Sequence, residues 1–529
     1  MTTENSTYKK IGVASFIMML SVFSSRIIGL AREMCIAFTG GAGGSVDAYQ
    51  VAFILPEILN HVVASGFLSV TFIPIFAFYV TNNREEEGWR VFSIIFNTFG
   101  LILVILIGIA FCFTPHLVKW LAPGLTEPEL FNQAVKMTRI IIPAQFFFFA
   151  GGLFMAVQFT KEKFFLPALA PLIYNIGIIV GGILLAPHIG MEGFAWGVLA
   201  GAFAGNFIIQ YAGAKRVGMR ILPIIDLKNP QFVKYILLTL PLMLGLTMTF
   251  STEILLKYFG SFLSEGSIAA LNYAVRVMFI LVGVFGQAVG VASYPFMAKL
   301  ASKGEIGELN KLLNNTLRYL CLIIPVAVLF MVLRHEIVVM LFQRGRFDSE
   351  ATKLTAMVLP FIMAGTVAFA AQTVVVRGYY AMQNTWLPAL LGTIAVLLSL
   401  PLFFILMKWM NAAGVALALS VSATLNTGVL FTIWNRRTKN FEATSLYLFM
   451  GKIILISCGM GIILWQFCHM LQVTIDNTCL KGALAVSILT GLLFFLLFVT
   501  AGFIFKIDEI SVLLTKLYKR LKMAVFRSV

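Results

Sequence analysis

The chain has 529 residues, 60% of them apolar and only 12% charged, where an ordinary soluble protein carries about 25% charge. A mean hydropathy of +0.93 argues against a soluble enzyme and leaves room for about fourteen helices of roughly 20 apolar residues, the length that crosses a bilayer. The formal net charge of +16 would point to nucleic acid in a soluble protein, so its distribution along the chain decides its meaning.

The first ten residues, MTTENSTYKK, are polar, and the first apolar run is long and contains Arg26 and Arg32. A cleavable leader has a short apolar core without charge, so a retained first span is expected. Apolar runs bounded by charges or Pro/Gly clusters lie near 11–38, 47–80, 90–113, 131–159, 165–186, 192–213, 232–258, 267–300, 310–333, 354–380, 386–408, 411–434, 444–470 and 482–505. The periodicity predicts a helix for each, with the eleventh and twelfth separated by the turn between Lys408 and Gly414. After the last span, Ile510, Leu513, Leu514, Leu517, Leu521 and Val525 form one stripe with Lys516, Lys519 and Arg520 off it. That pattern predicts an amphipathic helix on an anionic membrane surface.

Most of the 39 basic residues fall on one set of alternate loops: Lys9, Lys10, Arg84, Arg90, Lys161, Lys163, Lys215, Arg216, Arg436, Arg437 and Lys439 among them. The opposite loops and helix ends hold few, such as Lys119, Lys257, Arg344 and Lys408. The positive-inside rule then places both termini in the cytoplasm. The basic balance is accounted for by topology, and no nucleic-acid partner is expected.

Three anchors repeat at one offset of 221 residues: Leu166-Pro-Ala-Leu169 with Leu387-Pro-Ala-Leu390, Gly193 with Gly414, and Pro74 with Pro295. An even number of spans separates equivalent segments, so the two six-helix lobes are parallel repeats, a plan used by transporters with a central site between halves. The expected organisation is an N-lobe over 1–213, a cytoplasmic linker over 214–231, a C-lobe over 232–434, two further helices within 435–505 and a cytoplasmic tail over 506–529.

The six cysteines show no metal-ligand spacing and sit mostly in apolar runs, so neither disulfides nor a metal site is expected. The glycine run from Thr39 to Ser45 is expected to be a flexible turn between the first two spans, with a hinge as the functional alternative, and no phosphate-binding GxxxxGK[ST] loop occurs. No Ser/His/Asp or HExxH arrangement supports an enzyme, and no cofactor is called for. The aromatic run Phe146 to Phe149 is expected to face lipid or neighbouring helices.

Charges inside apolar spans carry the functional information, because each costs about 2.5–3.5 kcal/mol at a helix centre. Arg26, Arg32 and Glu33 lie in the first span, Asp47, Glu57 and His61 in the second, Arg139 near the start of the fourth, and Arg276 in the eighth. Guanidinium groups stay protonated and grip phosphate oxygens bidentately. Arg26, Arg32 and Arg276, drawn from both lobes, therefore point together to a multiply charged anion such as a diphosphate, the alternative for any one of them being snorkelling to an interface or a structural pair with Glu33 or Asp47.

Ser25-Arg26-Ile-Ile-Gly29-Leu-Ala31-Arg32, Asp47-Ala48, Ala122-Pro123-Gly124, Pro167 to Pro171 with Asn175, Tyr273-Ala274 with Arg276, and Leu341-Phe342-Gln343-Arg-Gly345-Arg-Phe347 together resemble the MurJ/MviN-type lipid II flippases. The resemblance covers nearly the whole chain. It implies an all-α polytopic membrane protein, two six-helix lobes around a central cationic cavity, plus two C-terminal helices that form a groove for the polyprenyl tail. The implied cargo is lipid II, moved by alternating access across the bacterial cytoplasmic membrane by a monomer in contact with membrane lipids. Arg26, Arg32 and Arg276 correspond to anion-binding positions, and Glu33, Asp47 and Gly29 to gating or coupling positions. Glu57, Asn60 and His61 are further cavity candidates, Asn60-His61 standing where many members have a basic pair. Val275 replaces an acid before the helix 8 arginine, and Asn384 replaces an acid in the region where a coupling cation is placed in the family. Coupling to membrane potential or a monovalent ion is implied in general terms. Rival readings at this level are a flippase for another polyprenyl-diphosphate glycan, a cation-coupled drug exporter, and a non-transporting scaffold.

Overall fold

The computed structural model describes residues 2–61, 67–245 and 247–509, and every regular element among them is helical. The chain forms two compact units, Met1–Ala269 with Arg344–Ala351, and Ala270–Gln343 with Thr352–Val529.

In the first unit the Thr2–Gly40 helix packs along Phe165–Ile189, which packs in turn against Glu192–Gly201. The second contact is made by backbone. A Cβ placed on Gly177 would lie 2.5 Å from Gly201 Cα, and one on Gly197 would lie 2.7 Å from the Gly177 carbonyl oxygen. Helices in lipid gain little from excluding water, so close approach through small residues supplies the dispersion contact that holds them. The spacing Gly177-xxx-Gly181 against Gly193-xxx-Gly197-xxx-Gly201 encodes that approach.

An aromatic core lies among the helices Phe67–Thr81, Glu85–Cys112, Ala144–Thr160 and Pro230–Gly245, built from Phe72, Phe76, Trp89, Phe92, Phe149, Phe154 and Tyr235, all buried. Phe149 is interior while Phe146, Phe147 and Phe148 are half-buried, so the run serves packing on one face. Pro230–Gly245 begins the second repeat in sequence yet packs within the first unit. Thr71 and Thr239 share a hydroxyl hydrogen bond of 2.9 Å, and Phe99 contacts the rings of Phe232 and Tyr235. Sequence repetition and compact packing thus partition the chain at different places.

The run Ser267–Leu281, Val282–Gln287 and Ala288–Ser302, which belongs to the second unit from Ala270 onward, is continuous helix whose middle segment is π-wound. Its packing against Thr366–Ala381 brings Gly286 to the Ala370 backbone. Asn60 and His61 also lie in a π turn, and His61 is 221 residues before Val282. These two π-wound places coincide under the 221-residue offset, whereas the π segment Ala202–Ile208 has ordinary helix at the equivalent 423–429.

Nine helices among the described residues are long and apolar enough to cross a membrane, or ten if Ser349–Met363 and Thr366–Ala381, bent by 44°, are one span. The fourteen spans expected from sequence exceed this count. Trp386–Thr438 is counted once although Asn411, at φ 51°, breaks it within the predicted Lys408–Gly414 turn. The region of the second expected span holds Gly44–Ala52, Ile54–Leu59 and Phe67–Thr81, the first two separated at Phe53, and that of the seventh holds Pro230–Gly245 and Thr247–Gly260; residues 62–66 and 246 lie outside the described residues, and each described piece is too short alone. The first has charges within its apolar stretch. The predicted tail stripe from Ile510 onward lies outside the described residues.

Candidate functional site

Arg32 stands on the last third of the Thr2–Gly40 helix, where its guanidinium donates to Glu33 Oε1 at 2.6 Å and to Asn175 Oδ1 at 3.0 Å. The Glu33 side chain is 3% exposed and that of Arg32 20%. Asn175 is fixed in turn by donation to the Pro171 carbonyl at 2.8 Å. This pair ties the first helix to Phe165–Ile189, and its formal charges cancel. Two of the guanidinium nitrogens have protein acceptors, and the group has five N–H donors in all. Arg26, six residues earlier, is exposed. Gly29 faces Asn175 Oδ1 with ordinary spacing, since a Cβ there would sit 4.0 Å away.

Asp47 is 4% exposed, and its carboxylate accepts from the backbone N–H groups of Gly266 at 2.6 Å and Ala269 at 2.7 Å. These are orphan donors at the start of the Ser267–Leu281 helix, so an acid from residue 47 caps a helix 219 residues away. The same helix carries Arg276. A carboxylate at a helix N-terminus is favoured by both the hydrogen bonds and the helix dipole. Sequence alone identified Asp47 as an expensive charge, but not its backbone partners, because long-range capping leaves no local signature.

Glu57 pairs with Lys257, whose ammonium donates to both carboxylate oxygens at 3.0 and 3.2 Å and lies 6.0 Å from the Phe53 ring centroid. Lys257 is 3% exposed. It stands in the last turn of Thr247–Gly260, at a helix end as expected, with its side chain buried against an acid. His61 contacts the Glu57 carbonyl through Nδ1 at 2.6 Å and, like Asn60, is half-buried. Arg139 donates to the Phe111 carbonyl at the unit surface.

The glycine run after the first helix is a packed junction. Gly41 has φ +69°, and a Cβ on it would meet the Arg346 carbonyl oxygen at 2.5 Å; Arg346 N–H donates to the Phe38 carbonyl at 2.9 Å. Gly124 N–H donates to Ser261 Oγ at 3.1 Å, and a Cβ on Gly44 would lie 2.8 Å from Glu265 Oε2. Four connections of the first unit therefore converge, near 41–44, 122–127, 261–266 and 344–347. In this cluster the Glu127 carboxyl is pushed up from the ordinary range, first by its hydrogen bond with Glu265.

Of the three expected anion-binding arginines, Arg26 and Arg32 belong to the first unit and Arg276 to the second. Arg276 is half-buried. Arg377, on Thr366–Ala381, was missed in the sequence reading; it is half-buried beside Gly290 and interrupts an apolar run just as Arg276 does. No group of three or more His, Cys, Asp or Glu able to hold a metal occurs among the described residues. The arrangement offers cations along membrane helices, with Glu33 and Glu57 paired to Arg32 and Lys257 and Asp47 bonded to backbone N–H groups.

A profile of the family described as Lipid II flippase MurJ matches residues 36–499. A probable lipid II flippase MurJ of Buchnera aphidicola subsp. Baizongia pistaciae is 27% identical over 453 residues, covering 84% of this chain and 88% of the relative. The lipid II flippase MurJ of Burkholderia cenocepacia is 26% identical over 466 residues, covering 87% and 89%. A solved structure of lipid II flippase MurJ in an inward closed conformation superposes with a TM-score of 0.74 at 26% identity, over 91% of this chain and 98% of that one. An inward-facing MATE family transporter of the MOP superfamily shares the fold with a TM-score of 0.65 at 14% identity, over 80% of this chain and 96% of that one. With the family profile spanning most of its length and its intramembrane charges held as described, the chain belongs to the lipid II flippase MurJ family.

Proposed function

We propose that this multi-pass membrane protein is a lipid II flippase, a transporter and not an enzyme, which moves the undecaprenyl-diphosphate-linked peptidoglycan precursor from the cytoplasmic to the periplasmic leaflet. The observation that carries this reading is the match to the flippase family over residues 36–499. In the proposed cycle the diphosphate pairs with Arg26, Arg32 and Arg276 while the polyprenyl tail stays in lipid, guided by the two helices of 435–505. The N-lobe (1–213) and C-lobe (232–434) alternate access, and both termini are cytoplasmic. Glu33 sets the orientation of Arg32, and Asp47 acts as the gating residue through the start of the helix that bears Arg276. Glu57 and His61 form a secondary polar site with Lys257.

An inside-negative potential draws an empty cationic carrier inward and so supplies the reset step, without a cofactor. The test is complementation of a strain depleted of its own lipid II flippase, combined with labelling of lipid II on the outer leaflet. The wild-type chain is expected to restore growth and outer-leaflet lipid II, and Arg26→Ala and Arg276→Ala to restore neither at equal expression. Growth with either variant overturns the arginine assignment, and failure of a well-expressed wild type overturns the cargo.

A further inference from the structure

The connection between Trp386–Thr438 and Ala443–Thr474 contains an open cleft of about 680 Å³ in the second unit. Its polar lining comes from Thr432, Asn435, Arg436 and Lys439 on one helix and Thr444 and Tyr447 on the other. Some basic residues near helix ends and loops have acidic partners: Arg84 with Glu87, Arg220 with Glu86, Lys311 with Glu308 and Arg318 with Glu509. Arg436 and Lys439 have none among the described residues, so two neighbouring cations face the cleft uncompensated.

The cleft rests on a rigid floor. Asn440 and Asn314 exchange reciprocal amide hydrogen bonds at 2.9 and 3.0 Å, Asn440 also donates to Asn435 Oδ1 at 2.8 Å, and Trp434 Nε1 donates to Asn310 Oδ1 at 2.9 Å. Asn310, Asn314 and Asn440 are all buried. The last carbonyls of the first helix, which would repel an anion, are occupied: Asn435 O accepts from Lys439 and Asn440, and Thr438 O from Asn310. Lys439 itself holds φ 52° and ψ 47°, the left-handed conformation that favours glycine, so a cation occupies a position where its backbone is not at ease.

Below the cleft the same two helix faces turn apolar and exposed. Leu425 and Val429 continue the stripe of Thr432 and Arg436, while Leu448 and Leu455 continue that of Thr444, at 60%, 47%, 72% and 75% exposure. A free anion has no use for that surface; an amphiphile does. We propose that this cleft binds the head group of an anionic phospholipid, its phosphate between Arg436 and Lys439 and its acyl chains along Leu425, Val429, Leu448 and Leu455. Part of the site lies in the 435–505 helices proposed to guide the polyprenyl tail, but none of its residues is among the arginines proposed for the diphosphate, so it is tested apart from that assignment.

The purified full-length chain in neutral detergent is titrated with phosphatidylglycerol, phosphatidylcholine or inorganic phosphate at matched ionic strength, and binding is read from the rise in unfolding temperature. Phosphatidylglycerol is expected to stabilise the wild type, with affinity falling about fivefold for Arg436→Gln or Lys439→Gln and about 25-fold for both together, from the usual worth of one cation at an anionic surface. Lys439→Gly removes the charge while easing the backbone, so its loss of lipid response cannot be ascribed to misfolding. Arg220→Gln with Lys303→Gln removes equal charge from paired positions and leaves the response unchanged. Equal lipid affinity in the double variant and the wild type overturns the site. A response to phosphate as strong as that to phosphatidylglycerol, or to phosphatidylcholine as strong, overturns the anionic-lipid assignment.

Discussion

At the residue scale, the costly charges are compensated by partners that sequence proximity does not reveal. Lys257 and Glu57 are 200 positions apart and meet with the lysine side chain buried and the glutamate side chain 24% exposed. Removing one member of a buried pair leaves an uncompensated charge and costs about 3–5 kcal/mol, whereas replacing both by apolar groups is close to neutral. Lys257→Met is therefore expected to lower stability by roughly that amount, with Glu57→Leu/Lys257→Met recovering most of it in thermal unfolding of the purified chain. A double variant no better than the single would show that the pair is not the source. For Asp47, alanine strands two N–H donors and is expected to cost about 1–3 kcal/mol. Asparagine keeps one acceptor but not the charge, at about 0.5–2 kcal/mol. Equal unfolding temperatures for the two variants would remove the capping account. The rule of intramembrane charge singles out Arg32, Asp47 and Glu57 in the sequence, and applies equally to Arg377. It could not find the amide of Asn175 or the backbone of Gly266 as partners, because these carry no formal charge.

At the element scale, glycine divides into positions where a side chain has no room and positions where it has. Gly41→Ala would need an unfavourable φ and a clash with the Arg346 carbonyl, so a loss above about 1 kcal/mol is expected. Gly451 and Gly491 lie in helix interiors with nothing within 4 Å of a Cβ, and alanine there is expected to gain about 0.5–1 kcal/mol. Thermal unfolding of the three variants checks the order. The run from Thr39 to Ser45 was legible as a turn, but its packing against 344–347 was not, since that contact joins segments three hundred residues apart. The pH response of the junction follows from Glu127. Its folded value is raised by the bond to Glu265, with Glu129 adding repulsion. Its contribution is thus present below the ordinary carboxyl range and is lost as pH rises through the raised value. Proteolysis of the loops 122–127 and 261–266 is expected to quicken as pH rises through the carboxyl range. Glu265→Gln is expected to flatten that dependence; an unchanged profile in the variant would disconnect it from the acid pair.

At the scale of the whole molecule, the repeat at 221 residues and the all-helical class were legible because both are written in apolar periodicity and in prolines and glycines that recur in register. The partition into compact units was not, since Pro230–Gly245 follows its aromatic contacts with Phe99 and not its sequence ancestry. The energetics of the proposed cycle also belong at this scale. One elementary charge moved through the whole field is worth about 2.3 kcal/mol per 100 mV, about fiftyfold in an equilibrium between inward and outward states. The Arg32–Glu33 pair is neutral and contributes nothing to that displacement, so the sensitivity rests on the remaining arginines. With a diphosphate bound their charge is offset, and the loaded step becomes insensitive to voltage while the empty return is driven by an inside-negative potential. Proteoliposomes with the chain in one orientation, a potassium diffusion potential and labelled lipid II measure this directly. Multiple turnovers are expected to accelerate as the interior becomes more negative, and a single loaded translocation to keep its rate. Glu33→Gln leaves Arg32 uncompensated and is expected to steepen the voltage dependence of turnover. A flat response in wild type and variant alike would separate transport from the field and leave an ion gradient as its driving force.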